Sequence, residues 1–285
     1  MRLWKLCFIF GCLAILSVQP AVAQVTYNST DSVEIEGLLN NVSGMPGNVN
    51  LPLHFARHFV GRPYVAHTLE VNDKEQLVVN TRQLDCTTLV ETVTALTLCA
   101  KQHKYSFGDY TSMLRSLRYR GGNCEDYTSR LHYFTDWILD NCSMKMVREI
   151  QGPVPPFSAT QRINVNYMST HPDAYKALKD NPKYVSTIQQ QEKSLTGRVF
   201  RYIPASAVDN SELLRKTIHD GDIIAITCNK KGLDIAHLGF AIWQRDGLHL
   251  LNASSIHHKV VEETMTLSQY LKMHPTFTGI RIIRI

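Results

Sequence analysis

The sequence predicts an α+β fold, with a helical first half leading into an antiparallel sheet. Three observations carry this expectation. Apolar residues recur at helical spacing in the first half, most clearly Cys86, Leu89, Val90, Val93, Leu96 and Ala100. From Arg198 onward, short runs rich in β-branched and aromatic residues take over, and Asp246-Gly247 between two of them is a hairpin signal. Helical and stranded segments come in blocks, not in the alternation that builds a parallel sheet. There is no internal repeat and no low-complexity tract.

Taken in order, the chain opens with a segment that reads as a secretory signal peptide over residues 1–23. Arg2 and Lys5 form a basic start, Leu6 to Val18 is apolar, and Ala21-Val22-Ala23 is a small-residue cleavage site before Gln24. The apolar run is short for a spanning helix. Lipid attachment at Cys12, after Phe10-Gly11, is the alternative, with only a very short apolar stretch before it. Residues 24–285 are then expected as one exported, soluble, periplasmic domain, since no later segment is long enough to span a membrane. Losing Arg2 and Lys5 lowers the formal charge from +5 to +3. There is no basic run of the kind that binds nucleic acid.

Helices are expected around Ser32 to Asn40 and over Leu51 to Phe59, the second ended by Gly61-Arg62-Pro63. The Gly- and Asn-rich segment from Val42 to Asn50 is a loop between them. Glu75 to Asn80 reads as a strand with Leu77, Val78 and Val79 as its core. Asp85 is a good N-cap for the helix that follows. Further helices are expected over Asp109 to Leu117, Ser129 to Leu139 and Tyr175 to Gln191. Gln151 to Phe157 holds three prolines and is an irregular connection. Strands are expected over Val199 to Ile203, Asp222 to Cys228, Ile235 to Trp243, Leu248 to Asn252 and Gly279 to Ile285.

Five cysteines lie beyond the leader: Cys86, Cys99, Cys124, Cys142 and Cys228. An odd count in an oxidising compartment leaves at least one free thiol, and Cys86 is the candidate. The other four can form two disulfides or be small buried hydrophobes. No Cys-x-x-Cys pair suggests structural zinc.

Cys86 stands at a helix start. There the helix dipole, with a nearby histidine, stabilises a thiolate and lowers its pKa. A buried structural cysteine is the competing reading. His237 is the natural base. On a period-two strand it shares a face with Gly239, Ala241 and Trp243, and the small residues nearest it, Gly239 and Ala241, leave room for an approaching helix tip or a substrate. Together they suggest a cysteine hydrolase or acyltransferase.

A base needs a partner on its other ring nitrogen. A two-residue turn at Asp246-Gly247 pairs Arg245 with Leu248 and puts even-numbered residues of the second strand on His237's face. Asn252 qualifies by parity and His249 does not. This register sets Asn252 opposite Ala241, so contact with His237 needs a bulge or a longer loop. His257-His258 resembles a metal pair only superficially, and His-Glu-x-x-His is missing. Tyr127, Tyr133, Phe134 and Trp137 read as core. Arg118, Arg120 and Arg130 read as surface or paired charges, although an arginine facing the cleft could bind a carboxylate.

Four segments occur in a telling order: Gly61-Arg62-Pro63-Tyr64, Asp85-Cys86-Thr87-Thr88-Leu89-Val90-Glu91, His237-Leu238-Gly239-Phe240 and Asn252-Ala253-Ser254. In them the chain resembles the NlpC-type superfamily of papain-like cell-wall hydrolases, and more closely its N-acetylmuramoyl-L-alanine amidase-like branch. The resemblance covers nearly all of the chain beyond the leader. It implies a papain-like core in which a nucleophile helix packs on an antiparallel sheet. A largely helical insert, about 101–197, would fill the 151-residue gap between Cys86 and His237. It further implies Cys86 as nucleophile, His237 as base and Asn252 as the third polar position, often a histidine in the wider superfamily. Tyr64 would help hold the oxyanion.

The implied substrates are peptidoglycan fragments (muropeptides), cut between muramic acid and L-alanine by a monomeric enzyme with no cofactor or metal. Tyr119, Arg120, Ser129, Arg130 and His132 could line the sugar side of the cleft. The alternatives are an endopeptidase cutting between D-glutamate and the diamino acid, a non-catalytic muropeptide-binding module, and a metal-dependent amidase, which lacks its ligand motif.

Overall fold

The computed structural model describes residues 24–285. The expected leader, including Cys12, lies outside them. Strand β1 (Val25–Thr26) leads into α1 (Ser29–Val42), which starts earlier than expected because Asn28 and Asp31 form a reciprocal capping box. Asn50 caps α2 (Leu51–His58), which carries Pro52 in its first turn. The expected strand at Glu75 to Asn80 is reduced to β2 (Leu77–Val78), paired parallel with β1.

Helix α3 (Cys86–Lys101) is opened by Asp85, whose carboxylate accepts from the Thr88 N–H at 2.8 Å while the Thr88 hydroxyl accepts from the Asp85 N–H at 2.9 Å. Every residue of α3 from Thr88 to Ala100 is buried. A helix covered on all sides is a central element, not a surface one. Helix α4 (Phe107–Arg118) packs against it, with Arg118 donating to Glu91 at 2.6 Å in a fully enclosed ion pair.

The next helix departs from expectation. Ser129 to Leu139 was expected; instead α5 covers Phe134–Ser143. Asp126 caps a tight turn over Tyr127–Ser129, and Arg130 is extended, drawn to Glu70 and Glu75. Two short strands follow that periodicity did not suggest, β3 (Arg148–Ile150) and β4 (Ala159–Arg162). The short helix α6 (Tyr167–Thr170) precedes α7 (Pro182–Leu195). Helix α7 begins seven residues later than the expected Tyr175 because Asn181 caps it and Pro182 occupies its first position.

The remaining elements are β5 (Val199–Pro204), α8 (Glu212–Thr217), β6 (Ile223–Cys228), β7 (Ile235–Trp243), β8 (Leu248–Ser254), β9 (Lys259–Glu262), α9 (Leu267–Lys272) and β10 (Phe277–Arg284). Strand β9 was also unforeseen. The large sheet runs β4-β5-β10-β6-β7-β8-β9, with β3 also on β10, and its pairs are antiparallel.

Strand alternation divides the sheet into two faces. Leu238, Phe240, Ile242, Leu251 and Ala253 join α1 to α4 in one core. Ala241, Leu248, Leu250, Ile224 and Ile226 pack with α8 and α9 in another. A third cluster joins Tyr127 and Tyr133 to α6, α7 and Phe200. The fold is therefore α+β, helices covering both faces of an antiparallel sheet. All five described cysteines are unpaired. No helix among the described residues is long and apolar enough to cross a membrane.

Gly279 sits where β10 pairs with both β5 and β6. A methyl group there would lie 2.2 Å from the Ile203 carbonyl oxygen and 2.7 Å from the Tyr202 ring. Backbone cannot give way cheaply, so Gly279→Ala is expected to destabilise by about 1–3 kcal/mol or more. Equilibrium urea denaturation checks this; an unchanged midpoint would show that the strands can move apart.

Candidate active site

The site is built where the start of α3 meets β7. Cys86 is the first residue of α3; the Thr88 and Leu89 N–H groups are taken by Asp85, and those of Cys86 and Thr87 have no intrahelical partner. Cys86 and His237 are both half-buried and line one cavity of about 240 Å³ with Thr87, His132, Tyr133 and Leu238. A shift in the β6–β7 register between Ile226 and Thr227 falls beside His237. Such bulges bend a strand and re-aim its side chains, and they often border active sites.

Strand β8 brings in the third residue. The register pairs Phe240 with Leu251 and Trp243 with Leu248, while the Gln244 N–H donates to the Gly247 carbonyl at 2.8 Å. The turn is thus centred on Arg245 and Asp246, one residue earlier than expected. Parity is kept, but β8 advances toward His237. Continuing the register sets Asn252 across from Gly239, diagonal to His237, within reach for a cross-strand pair. The His237 Nε2 and Asn252 Oδ1 atoms are 3.0 Å apart. No bulge between β7 and β8 is needed for this contact. Gly239 permits it, because a Cβ there would lie 2.7 Å from the Leu250 side chain and from the Leu251 carbonyl oxygen.

The hydrogen bonds fix the histidine tautomer. The Asn252 Nδ2 donates to Glu263 Oε1 at 3.0 Å, which leaves its oxygen facing His237. A carbonyl oxygen only accepts, so Nε2 of His237 carries the proton and Nδ1 keeps its lone pair. Asn252 and Glu263 are buried, at 0 % and 3 % exposure. Sequence reasoning missed Glu263. It lies just past β9, outside every recognised motif, beside another glutamate, and only the β8–β9 pairing brings it behind Asn252.

Electrostatics here correct the sequence expectation of a depressed thiol. Burial pushes the Cys86 thiol up to about 12, and the Asp85 carboxylate adds to that. The Thr87 hydroxyl and the backbone N–H groups of Leu238 and Cys86 oppose it without prevailing. Burial also pushes His237 down, against the stabilising influence of Asn252 and Glu263. Desolvation disfavours both charged forms, so the resting pair is a neutral thiol and a neutral imidazole.

Tyr64 is held between the residues before α3 and the β8–β9 turn, its N–H donating to the His258 carbonyl at 2.9 Å. Burial, then Cys86 and Asp85, raise its pKa, so its phenol stays protonated and able to donate.

The residues suggested for the sugar side divide. His132 lines the Cys86 cavity, with its Nε2 2.8 Å from the Tyr127 carbonyl oxygen. Tyr119 is 1 % exposed and donates to Glu75 at 2.7 Å. Arg120 pairs with Asp136 at 2.5 Å, and the Ser129 hydroxyl donates to the Asp126 carbonyl at 2.6 Å. Arg130 is clamped by Glu70 and Glu75 and faces a separate cavity of about 490 Å³. These four are held in place by the fold and do not line the Cys86 cavity. Of the aromatics expected in the core, all are buried, and Tyr133 and Phe134 also wall the cavity. His257 and His258 lie in the turn before β9, and His257 Nε2 is 3.3 Å from Glu263 Oε2. Among the described residues, no group of three or more ligand-type side chains could hold a metal ion.

A sequence model for a family described as N-acetylmuramoyl-L-alanine amidase-like matches residues 54–280. The crystal structure of an N-acetylmuramoyl-L-alanine amidase from Bacteroides uniformis is 41 % identical, with a TM-score of 0.77, covering 82 % of this chain and 97 % of its own. A Bacteroides fragilis protein provisionally described as a xylanase is 40 % identical, with a TM-score of 0.76, covering 82 % of this chain and 100 % of its own. A Legionella pneumophila protein at 24 % identity and a TM-score of 0.68, covering 90 % of this chain and 94 % of its own, shares the fold. No curated protein sequence matches the chain significantly.

The cavity histidines set an acid limit on stability. Burial, followed by Arg130, pushes His132 down to about 3, and burial lowers His237 as well. Unfolded histidines bind a proton near pH 6.5, and these two do not while folded. The contribution of each is therefore complete above about pH 6.5 and is lost as pH falls below it, for His132 down to about 3, at up to roughly 1.4 kcal/mol per pH unit for each proton. Chemical denaturation of the His132→Gln variant should show a shallower loss of stability between pH 6 and pH 4 than the wild type. An unchanged slope would contradict this assignment.

Proposed function

The chain belongs to the N-acetylmuramoyl-L-alanine amidase-like family, and from that premise we propose that it is a periplasmic cysteine amidase acting on muropeptides. The observation that carries this reading is the cavity shared by Cys86 and His237, with His237 oriented by Asn252. We read the core as papain-like and NlpC-type, with residues 24–285 as one domain. The packing of α3 on an antiparallel sheet that carries the base supports that reading.

The chemistry follows from the neutral pair. Substrate binding brings the carbonyl carbon of the muramic acid lactyl group to Cys86. His237 takes the thiol proton on Nδ1 as sulfur attacks, which forms the C–S bond. The resulting oxyanion accepts from the Tyr64 hydroxyl and from N–H groups at the start of α3. Collapse breaks the C–N bond, and the imidazolium returns its proton to the departing amine of L-alanine. His237 then deprotonates a water that attacks the thioester carbonyl, releasing the muramic acid carboxyl group and restoring the thiol. Neither reacting side chain has to carry a charge before the substrate arrives.

The Cys86 cavity does not offer the pair of acids that glycoside cleavage uses. Among the described residues, Asp234 is the only acid lining that cavity, and its Oδ2 already accepts the Thr135 N–H at 2.7 Å. Acid–base glycosidases use two facing carboxyl groups.

Mass spectrometry of defined muropeptides tests the reading. The wild type should release an intact stem peptide beginning with L-alanine, and Cys86→Ala should release none above background. Cleavage within the stem peptide would make the protein an endopeptidase using the same residues. Full activity in Cys86→Ala would exclude the cysteine mechanism.

A further inference from the structure

We propose that Glu263 is a positioning residue for the reaction: it locks the Asn252 carboxamide in the one orientation that leaves Nδ1 of His237 basic. The inference rests on the reading that Cys86 and His237 react. A carboxamide is nearly symmetric in shape but not in hydrogen bonding. Turned over, Asn252 would offer its NH2 group to Nε2 and favour the tautomer protonated on Nδ1. His237 would then present a proton, not a lone pair, to the thiol. Something must choose between the two states, and the Asn252–His237 contact alone does not.

Glu263 makes the choice. Its Oε1 accepts from Asn252 Nδ2 at 3.0 Å, and an ionised carboxylate can only accept. Its own position is over-determined. Its backbone N–H donates to the Leu250 carbonyl at 2.9 Å, its carbonyl is 2.9 Å from His249 Nδ1, and its Oε2 is 3.3 Å from His257 Nε2. Burying a carboxylate at 3 % exposure weakens a fold unless its partners compensate. Here those partners run straight to the base. The ionisable groups around His237 are Asp85 and Cys86 at the start of α3, Glu263 beyond β9, Tyr270 in α9 and His274 just after it, with His132, Tyr133, Tyr175 and Asp234 lining the same cavity. Of these, Glu263 alone is hydrogen-bonded to Asn252. It therefore sets the tautomer at rest and stabilises the imidazolium once the thiol proton has moved.

A reciprocal exchange tests this. Asn252→Asp alone places two carboxyl groups against each other. Adding Glu263→Gln restores a donor–acceptor pair in reverse, with the glutamine NH2 donating to the new carboxylate, whose other oxygen accepts from His237. Wild type, E263Q, N252D, the double variant and Cys86→Ala would be compared for kcat and KM on a defined muropeptide. The pH dependence of Cys86 alkylation by iodoacetamide and the thermal midpoint would be read in parallel.

E263Q is expected to lower kcat by about tenfold or more with little change in KM, and to shift the imidazole-dependent limb of alkylation to lower pH. The double variant should recover at least about tenfold over N252D. A folded E263Q with unchanged kcat and pH profile, or a double variant no better than N252D, would overturn the proposal. Should E263Q not fold, the double variant decides alone. Muropeptide hydrolysis that survives Cys86→Ala would overturn the underlying reading, a result separable from failure of the exchange.

Discussion

The pairing of β7 with β8 is the constraint on which the site depends. It sets Asn252 diagonal to His237 and keeps both on one face of the sheet. A slip of one residue would turn Asn252 into the helical core and bring Leu251 or Ala253 toward His237. A slip of two would keep the parity and lose the 3.0 Å contact. Gly239 allows the close approach, and β9 holds β8 from the other side through the pair Asn252 and Val261. The same sheet packs against α3 on one face and α9 on the other, so the packing that stabilises the fold also fixes His237.

Burial decides the electrostatics of this arrangement. The start of α3 and the nearby N–H groups favour a thiolate, yet desolvation and Asp85 prevail. The same desolvation keeps His237 neutral. A neutral pair is stable in a partly apolar cavity and less prone to unwanted thiol chemistry than a standing thiolate. In the proposed mechanism, proton transfer is then coupled to attack, when an oxyanion and its donors appear together. On that proposal, the hydrogen-bonded chain from His237 through Asn252 to Glu263 supplies the compensation that an imidazolium needs.

Much of this was legible in the sequence, for identifiable reasons. Asp85, Cys86 and the apolar spacing behind them specify α3 because capping and periodicity are local effects. The strand pattern gave His237 and Asn252 a common face because parity survives small errors in turn placement. What failed was set by distant contacts. Glu70 and Glu75 draw Arg130 out of the helix expected from Ser129, and Asp126 replaces that helix start with a tight turn. Tyr119, Arg120, Ser129 and Arg130 looked available for substrate because their partners are far away in sequence or unmarked by periodicity. Glu263 escaped notice because nothing local distinguishes it from Glu262; the sheet pairing alone places it behind Asn252.

The central claim is that Cys86 attacks the muramoyl carbonyl and carries that acyl group between two steps. Acid quenching during turnover of a muropeptide, followed by mass spectrometry of the Cys86 peptide, tests it most directly. The account predicts a transient adduct on Cys86 with the mass of the muramoyl-containing sugar, released by hydroxylamine as a thioester would be. Turnover with an adduct containing the glutamyl residue of the stem peptide, or with the muramoyl group on a residue other than Cys86, would contradict it.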